Sequence, residues 1–169
     1  MNHVRILQAR DRDQLVAVYQ DAVMTQAVDL YTPRQIEAWS GHAQLSNVIG
    51  RCLESGYGLG SCRPENPSWL EAFGILDPAD RLALLYCRGS ACRQGHASAI
   101  LDRLEAHALH SGVAQLRTEA SQLSRPLLQR RGWQVEAEET VELGGEHFLR
   151  WRMIKALSPS PAGAERSRG

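Results

Sequence analysis

Apolar residues recur at helical spacing through the first third of the chain, then switch to a period of two near Tyr57. Leu15, Val18, Tyr19, Ala22 and Val23 share one face of a helix of about fifteen residues from Arg12, with Asp11 as its N-cap. A short edge strand at 4–7 precedes it. Thr32 followed by Pro33 marks a second helix start: a capping hydroxyl ahead of a residue whose missing N–H costs nothing in the first turn. That helix carries Ile36 and Trp39 and is expected to end near Gly41. A third piece at 45–54 groups Leu45, Val48, Ile49, Cys52 and Leu53, and Gly56 closes it.

Tyr57, Leu59 and Ser61 then alternate with glycines, 64–67 reads as a turn, and 69–76 forms a second strand. After the turn at 77–80, the stretch 81–87 is nearly all apolar, as suits a central strand covered on both faces. These short links predict an antiparallel meander. A long helix follows, with Ala97, Ile100, Leu101, Leu104 and Ala108 on one face and Gly112 just past its end. The strand at 113–120 is reached by a helix crossover and should run parallel to its partner. A brief helix at 125–131 and a hairpin at 133–141 and 147–154, turning at Gly144-Gly145, complete the pattern. The fold class is α/β (α+β): one mixed, mostly antiparallel sheet with helices on both faces. The domain is expected over 1–157, followed at 158–169 by a polar tail too poor in apolar surface to fold.

Composition narrows the function classes. The chain has 169 residues, a one-domain length that can build a core without disulfides. Lys+Arg and Asp+Glu are both 19, so no basic excess points to a nucleic-acid or anionic-membrane binder. No stretch approaches the roughly 18 apolar residues of a membrane span, and no signal-peptide pattern opens the chain. Cys52, Cys62, Cys87 and Cys92 are spread out, and the histidines pair with none of them at ligand spacing. Free thiols, a cytoplasmic setting and no metal are expected.

The segment 81–111 organises the rest. An apolar strand runs into a turn of small residues and then a helix whose first N–H groups, at the positive end of its dipole, form an anion site. It lacks the Gly-Lys-Ser/Thr of a nucleotide P-loop and the GxGxxG of a dinucleotide fold. Taken alone, it fits an anion site and a tight turn that merely needs Gly95 equally well.

Cys92-Arg93-Gln94-Gly95-His96-Ala97 resembles the Q/R-x-x-G-x-G/A acyl-CoA motif of the GNAT N-acetyltransferases, with Cys92 where Gln or Arg is usual. The run from Tyr31 through Thr32, Pro33, Gln35 and Ile36 to Trp39 is similar to a helix signature of the bacterial YafP-like subgroup. Thr118-Glu119-Ala120-Ser121, Ser124-Arg125-Pro126-Leu127-Leu128 and Arg131-Gly132-Trp133 resemble its second block. The likeness covers roughly residues 4–156.

The resemblance implies the GNAT acyl-CoA acyltransferase fold and transfer of an acetyl or other acyl group from acetyl-CoA to an amine by direct attack. It assigns the pyrophosphate to the backbone of Arg93, Gln94, Gly95, His96, Ala97 and Ser98, with Arg88 and Arg93 near the phosphates. Leu85, Tyr86 and Cys87 become the pantetheine wall, where a backbone N–H would stabilise the oxyanion. Ser121 and Arg125 line the cleft near the carrier.

Glu119 is the candidate base, unless it merely pairs with an arginine such as Arg117 or Arg125, and Glu71 is a second candidate that would lie on the solvent face. The family's usual tyrosine acid is replaced by Leu128, leaving Tyr86 as the nearest substitute. Meander positions often acidic in relatives hold Ile75 and Ala83. Tyr31, Gln35 and Trp39 form the lid over the acceptor, a small-molecule or peptide amine. His96 reads as a solvent-facing first-turn residue. Rival readings are a degenerate protein that binds acyl-CoA or a metabolite without turnover, and a protein-interaction module. Exposed sheet edges allow a homodimer.

Overall fold

The computed structural model describes residues 2–158, so most of the tail expected from 158 lies outside the described residues. β1 (His3–Ile6) leads into α1 (Arg12–Gln26), α2 (Pro33–Leu45) and α3 (Val48–Ser55). A meander of β2 (Tyr57–Arg63), β3 (Asn66–Leu76) and β4 (Leu82–Cys87) follows. Then come α4 (His96–His110), β5 (Gln115–Ala120), α5 (Arg125–Arg130) and the hairpin β6 (Gln134–Leu143) and β7 (Glu146–Ala156).

Local chemistry explains most boundaries. The Thr32 hydroxyl accepts the Gln35 N–H at 3.2 Å while the Gln35 side chain accepts the Thr32 N–H at 2.9 Å, a complete capping box. α2 runs four residues past Gly41 because Ala43, one turn beyond Trp39, is fully buried and holds the helix on the core. Asp11 sits at the N-cap position of α1 but makes no side-chain capping bond to it: its carboxylate accepts instead the Gln8 N–H at 2.8 Å and bonds from both terminal nitrogens of Arg5 at 2.9 Å. Gly144 (φ +58°) and Gly145 (φ +80°) fill the two positive-φ places of the hairpin turn.

The strands form two hydrogen-bonded sheets rather than one continuous sheet. The first runs β1-β2-β3-β4, all antiparallel, and the second runs β5-β7-β6, with β7 inserted between β5 and its hairpin partner. They meet at a single parallel bridge, Arg81 with Arg117, beside which the Arg117 N–H donates to Asp80 O at 2.9 Å. The Thr118 hydroxyl adds a bond to Leu82 O at 2.7 Å. Beyond that point β4 and β5 diverge, so β4 is the last strand of its sheet. Ile75 opposes Leu84 while Leu76 opposes Leu82, which makes Ala83 an extra, bulged residue on β4 next to the divergence.

Helices cover both faces. α1, α2 and α3 pack Leu15, Val18, Val23, Trp39 and Ile49 on Leu70, Phe73 and Ile75. α4 packs Ile100, Leu101 and Leu104 on Leu59, Ala72 and Leu76, continuing to Leu116 and Met153 of the second sheet and to Trp133 just ahead of β6. Alternation along β3 divides its side chains between these two cores.

Candidate active site

The divergence of β4 and β5 opens a cleft with two cavities. The first, about 140 Å³, is walled by β4 from Leu82 through Cys87, by Ala22 and Gln26 of α1, by Ala97 of α4, and by Leu123, Ser124, Leu127 and Leu128. The second, about 200 Å³, is walled by Tyr19, Tyr31, Trp39, Val48, Phe148 and Leu149, with His42, Arg81 and Arg150. Trp39, Ala83, Leu84, Tyr86, Glu119 and Ser121 line both. The two cavities therefore meet across these six residues.

The first cavity reaches the start of α4. Gly95, at φ +84°, is the N-cap, in a backbone conformation that disfavours any side chain, and no side chain caps the helix. The first intrahelical bond is Ala99 N–H to Gly95 O at 3.0 Å, so the N–H groups of His96, Ala97 and Ser98 have no acceptor within the helix. Ala97 presents only a methyl to the cavity. Arg93 is also held at positive φ, +63°, the Gln94 side chain donates to Ser90 O, and the Gln94 carbonyl accepts from Asn2. Leu85, Tyr86 and Cys87 all wall the cavity, and the Cys87 carbonyl is taken by the Gln26 amide at 2.5 Å.

At the junction, Glu119, next to last in β5, has Oε2 2.9 Å from Arg81 Nε. Its partner is neither Arg117, which pairs with Asp80 at 3.3 Å, nor Arg125. Glu119 Oε1 is hydrogen-bonded to no described residue. Tyr86 accepts the Trp39 indole N–H at 3.3 Å and stacks on Tyr19 with ring centroids 4.2 Å apart. Burial pushes the Tyr86 hydroxyl up, with the Trp39 bond working against it, so Tyr86 keeps its proton at neutral pH. Burial likewise raises Tyr31, whose oxygen accepts the Gln122 N–H at 3.0 Å.

Several residues lie elsewhere than expected. His96 does not face solvent: it is 3% exposed, with Nδ1 2.7 Å from the Ser61 hydroxyl, and burial lowers its pKa. Arg88 is buried and committed, with Nε to Leu70 O at 2.8 Å and its guanidinium 4.1 Å over Trp69, so it is not held out toward a phosphate. Glu71 is buried rather than on the solvent face, pairs with Arg63 at 3.0 Å, and lines neither cleft cavity. Gln35 spends its side chain on the α2 cap and on His147 O at 2.9 Å, strapping α2 to β7 outside both cavities. Arg125 lies 3.9 Å over Trp151, its Nε buried without a partner, and also lines neither cavity.

Other lining residues carried no local signal. Gln26 sits on a polar position of α1, and Phe148 reaches the cleft only because β7 is inserted beside β5. Among the described residues no group of His, Cys, Asp and Glu is arranged to hold a metal ion, and no helix is long and apolar enough to cross a membrane.

A diverging pair of strands joined by one parallel bridge, a bulge on the first and a helix start without a side-chain cap frame this cleft. No protein-family model matches the sequence, and no curated protein sequence matches it. Solved structures do match. A GCN5-related N-acetyltransferase from Rhodopseudomonas palustris superposes with a TM-score of 0.86 at 22% identity, over 93% of this chain and 96% of that one. The PaiA N-acetyltransferase from Thermoplasma acidophilum, in complex with coenzyme A, gives 0.71 at 20% identity over 92% and 99%. The ribosomal-protein-S18-alanine N-acetyltransferase from Escherichia coli gives 0.65 at 17% identity over 95% and 96%. The chain has the GNAT fold.

Proposed function

We propose that this protein transfers an acetyl group from acetyl-CoA to an amine by direct attack, as the resemblance to GNAT enzymes and to their YafP-like subgroup implies. The observation that carries the reading is the pair of cavities meeting at Glu119 and Tyr86, one of them ending at the free N–H groups of α4. The pyrophosphate would lie on the backbone of 93–98, where the helix dipole and free donors favour an anion. The pantetheine arm would run along Leu85, Tyr86 and Cys87, bringing the thioester to the junction.

There the amine lone pair attacks the carbonyl carbon, forming the C–N bond. A β4 backbone N–H stabilises the oxyanion. Collapse breaks the C–S bond and releases the thiolate of coenzyme A. Glu119 takes the proton the amine must lose, directly or through water. Tyr86, which keeps its proton, donates a hydrogen bond to the departing sulfur. Leu128 supplies an apolar wall where relatives place a tyrosine, so proton delivery to sulfur falls to Tyr86 or to water.

The ion pair of Glu119 with Arg81 and the loss of an acid at Leu128 favour one second reading, a protein that binds acyl-CoA without turnover. Calorimetry with acetyl-CoA followed by thiol release over an amine panel separates the two. Binding with amine-dependent release is expected. Binding without release selects the second reading, and no binding by the folded protein rejects both.

A further inference from the structure

The second cavity is built from aromatic faces. Tyr31 meets Trp39 edge-on with centroids 5.2 Å apart, and Phe148 lies 5.9 Å from Tyr31 and 6.2 Å from Trp39. Tyr86 closes the inner end, 6.5 Å from Trp39. The Tyr31 oxygen accepts the Gln122 N–H and the Trp39 N–H donates to Tyr86. Most of what these walls offer a ligand is ring surface.

The charges are arranged in one direction. The carboxylate lining this cavity is Glu119, at the junction with the donor cavity. The other charged residues lining it are Arg81, bound to Glu119, and Arg150, whose Nε pairs with Glu139 at 2.9 Å. His42 is also there, and burial with the nearby Arg51 lowers its pKa and keeps it neutral. One amine can therefore be received at Glu119. A second cation farther out would meet arginines rather than an acid. The volume, about 200 Å³, exceeds the roughly 150 Å³ of an apolar cavity that binds benzene.

We infer that the acceptor is a primary monoamine carried on a single aromatic or similarly flat apolar body, with the nitrogen at Glu119 and the ring against the wall of Tyr31, Trp39 and Phe148. This rests on the transferase reading above and narrows it against polyamines, aminoglycosides and polar peptide termini. In the reaction the ring keeps its bonds. The nitrogen gains the acetyl carbon and loses one proton to Glu119, and sulfur leaves with the electrons of the C–S bond.

The test compares 2-phenylethylamine, spermidine and an alanyl peptide in acetyl-CoA thiol release, with acetyl-CoA binding measured separately by calorimetry. Burying one ring predicts kcat/KM for 2-phenylethylamine about tenfold to a hundredfold above the other two. If acetyl-CoA binds and spermidine or the peptide equals or exceeds 2-phenylethylamine, the acceptor class is wrong and the transferase reading stands. If acetyl-CoA binds and no amine releases thiol, tryptophan fluorescence of the coenzyme A-saturated protein decides. Quenching by 2-phenylethylamine in preference to spermidine supports the pocket assignment, and equal or absent quenching overturns it. Absence of acetyl-CoA binding overturns both claims. Phe148→Leu, which keeps an apolar side chain in the core, should raise KM for 2-phenylethylamine about threefold to tenfold with acetyl-CoA affinity and circular dichroism unchanged. An unaltered KM would show that the aromatic cavity is not the acceptor site.

Discussion

Glu119 is held by one oxygen and open at the other. Arg81 fixes Oε2 at 2.9 Å, which orients the carboxylate across the line where the two cavities meet. In its proposed role as base, Glu119 acts on proton removal and leaves donor binding alone. Glu119→Gln should lower kcat on the order of a hundredfold with the calorimetric affinity for acetyl-CoA unchanged. A loss of affinity with kcat intact would make Glu119 a structural partner of Arg81 only. Asp11 is a residue of stability rather than of chemistry. Its bonds to Arg5 hold its carboxyl below the ordinary value of 3.8. Stability from a lowered carboxyl is complete above the unfolded value and is lost as pH falls through the folded value. Asp11→Asn should cost about 2 kcal/mol in denaturant melts at neutral pH, and the difference from wild type should shrink as the pH is taken below about 4.

At the scale of elements, α4 and the β4–β5 divergence do the positioning. Ala97→Glu places a carboxylate beside the free N–H groups of the first turn without altering a positive-φ residue. It should weaken acetyl-CoA binding by more than about 1.4 kcal/mol, tenfold or more in calorimetry, in a protein with unchanged circular dichroism. Thr118→Val removes the bond to Leu82 O that fastens the closed end of the cleft, and should cost about 1 kcal/mol in denaturant melts.

Elements with local causes were legible in the chain itself. Thr32-Pro33 started α2, Gly112 followed α4 at φ +90°, and Arg12 began a helix of 15 residues. The end of α2 was not, because Gly41 is a local breaker overruled by the distant burial of Ala43. Nor were the roles of His96 and Arg88. A first-turn histidine looks exposed until Ser61, 35 residues away, is folded beneath it, and an arginine after a strand looks free until Leu70 and Trp69 arrive beside it. The partner of Glu119 is hidden for the same reason, 38 residues off and just ahead of β4.

As a whole, the molecule is two sheets hinged at one bridge and covered by helices, with its cleft where the sheets part. Alternation and short links showed the meander and the closing hairpin. The break between the sheets depends on long-range pairing that no period records. A carrier lying between β4 and β5 contacts both sheets, and its binding energy is added to the stability of the folded state. Acetyl-CoA at about one hundred times its Kd should add about 2.7 kcal/mol and raise the melting temperature about 5–10 °C in scanning calorimetry. The most direct test of the account is amine-dependent thiol release from acetyl-CoA, run side by side on the wild-type protein and on Ala97→Glu. Release by the wild type that is lost in the variant is the predicted result. Equal release by both proteins, or none from folded wild type, would contradict it.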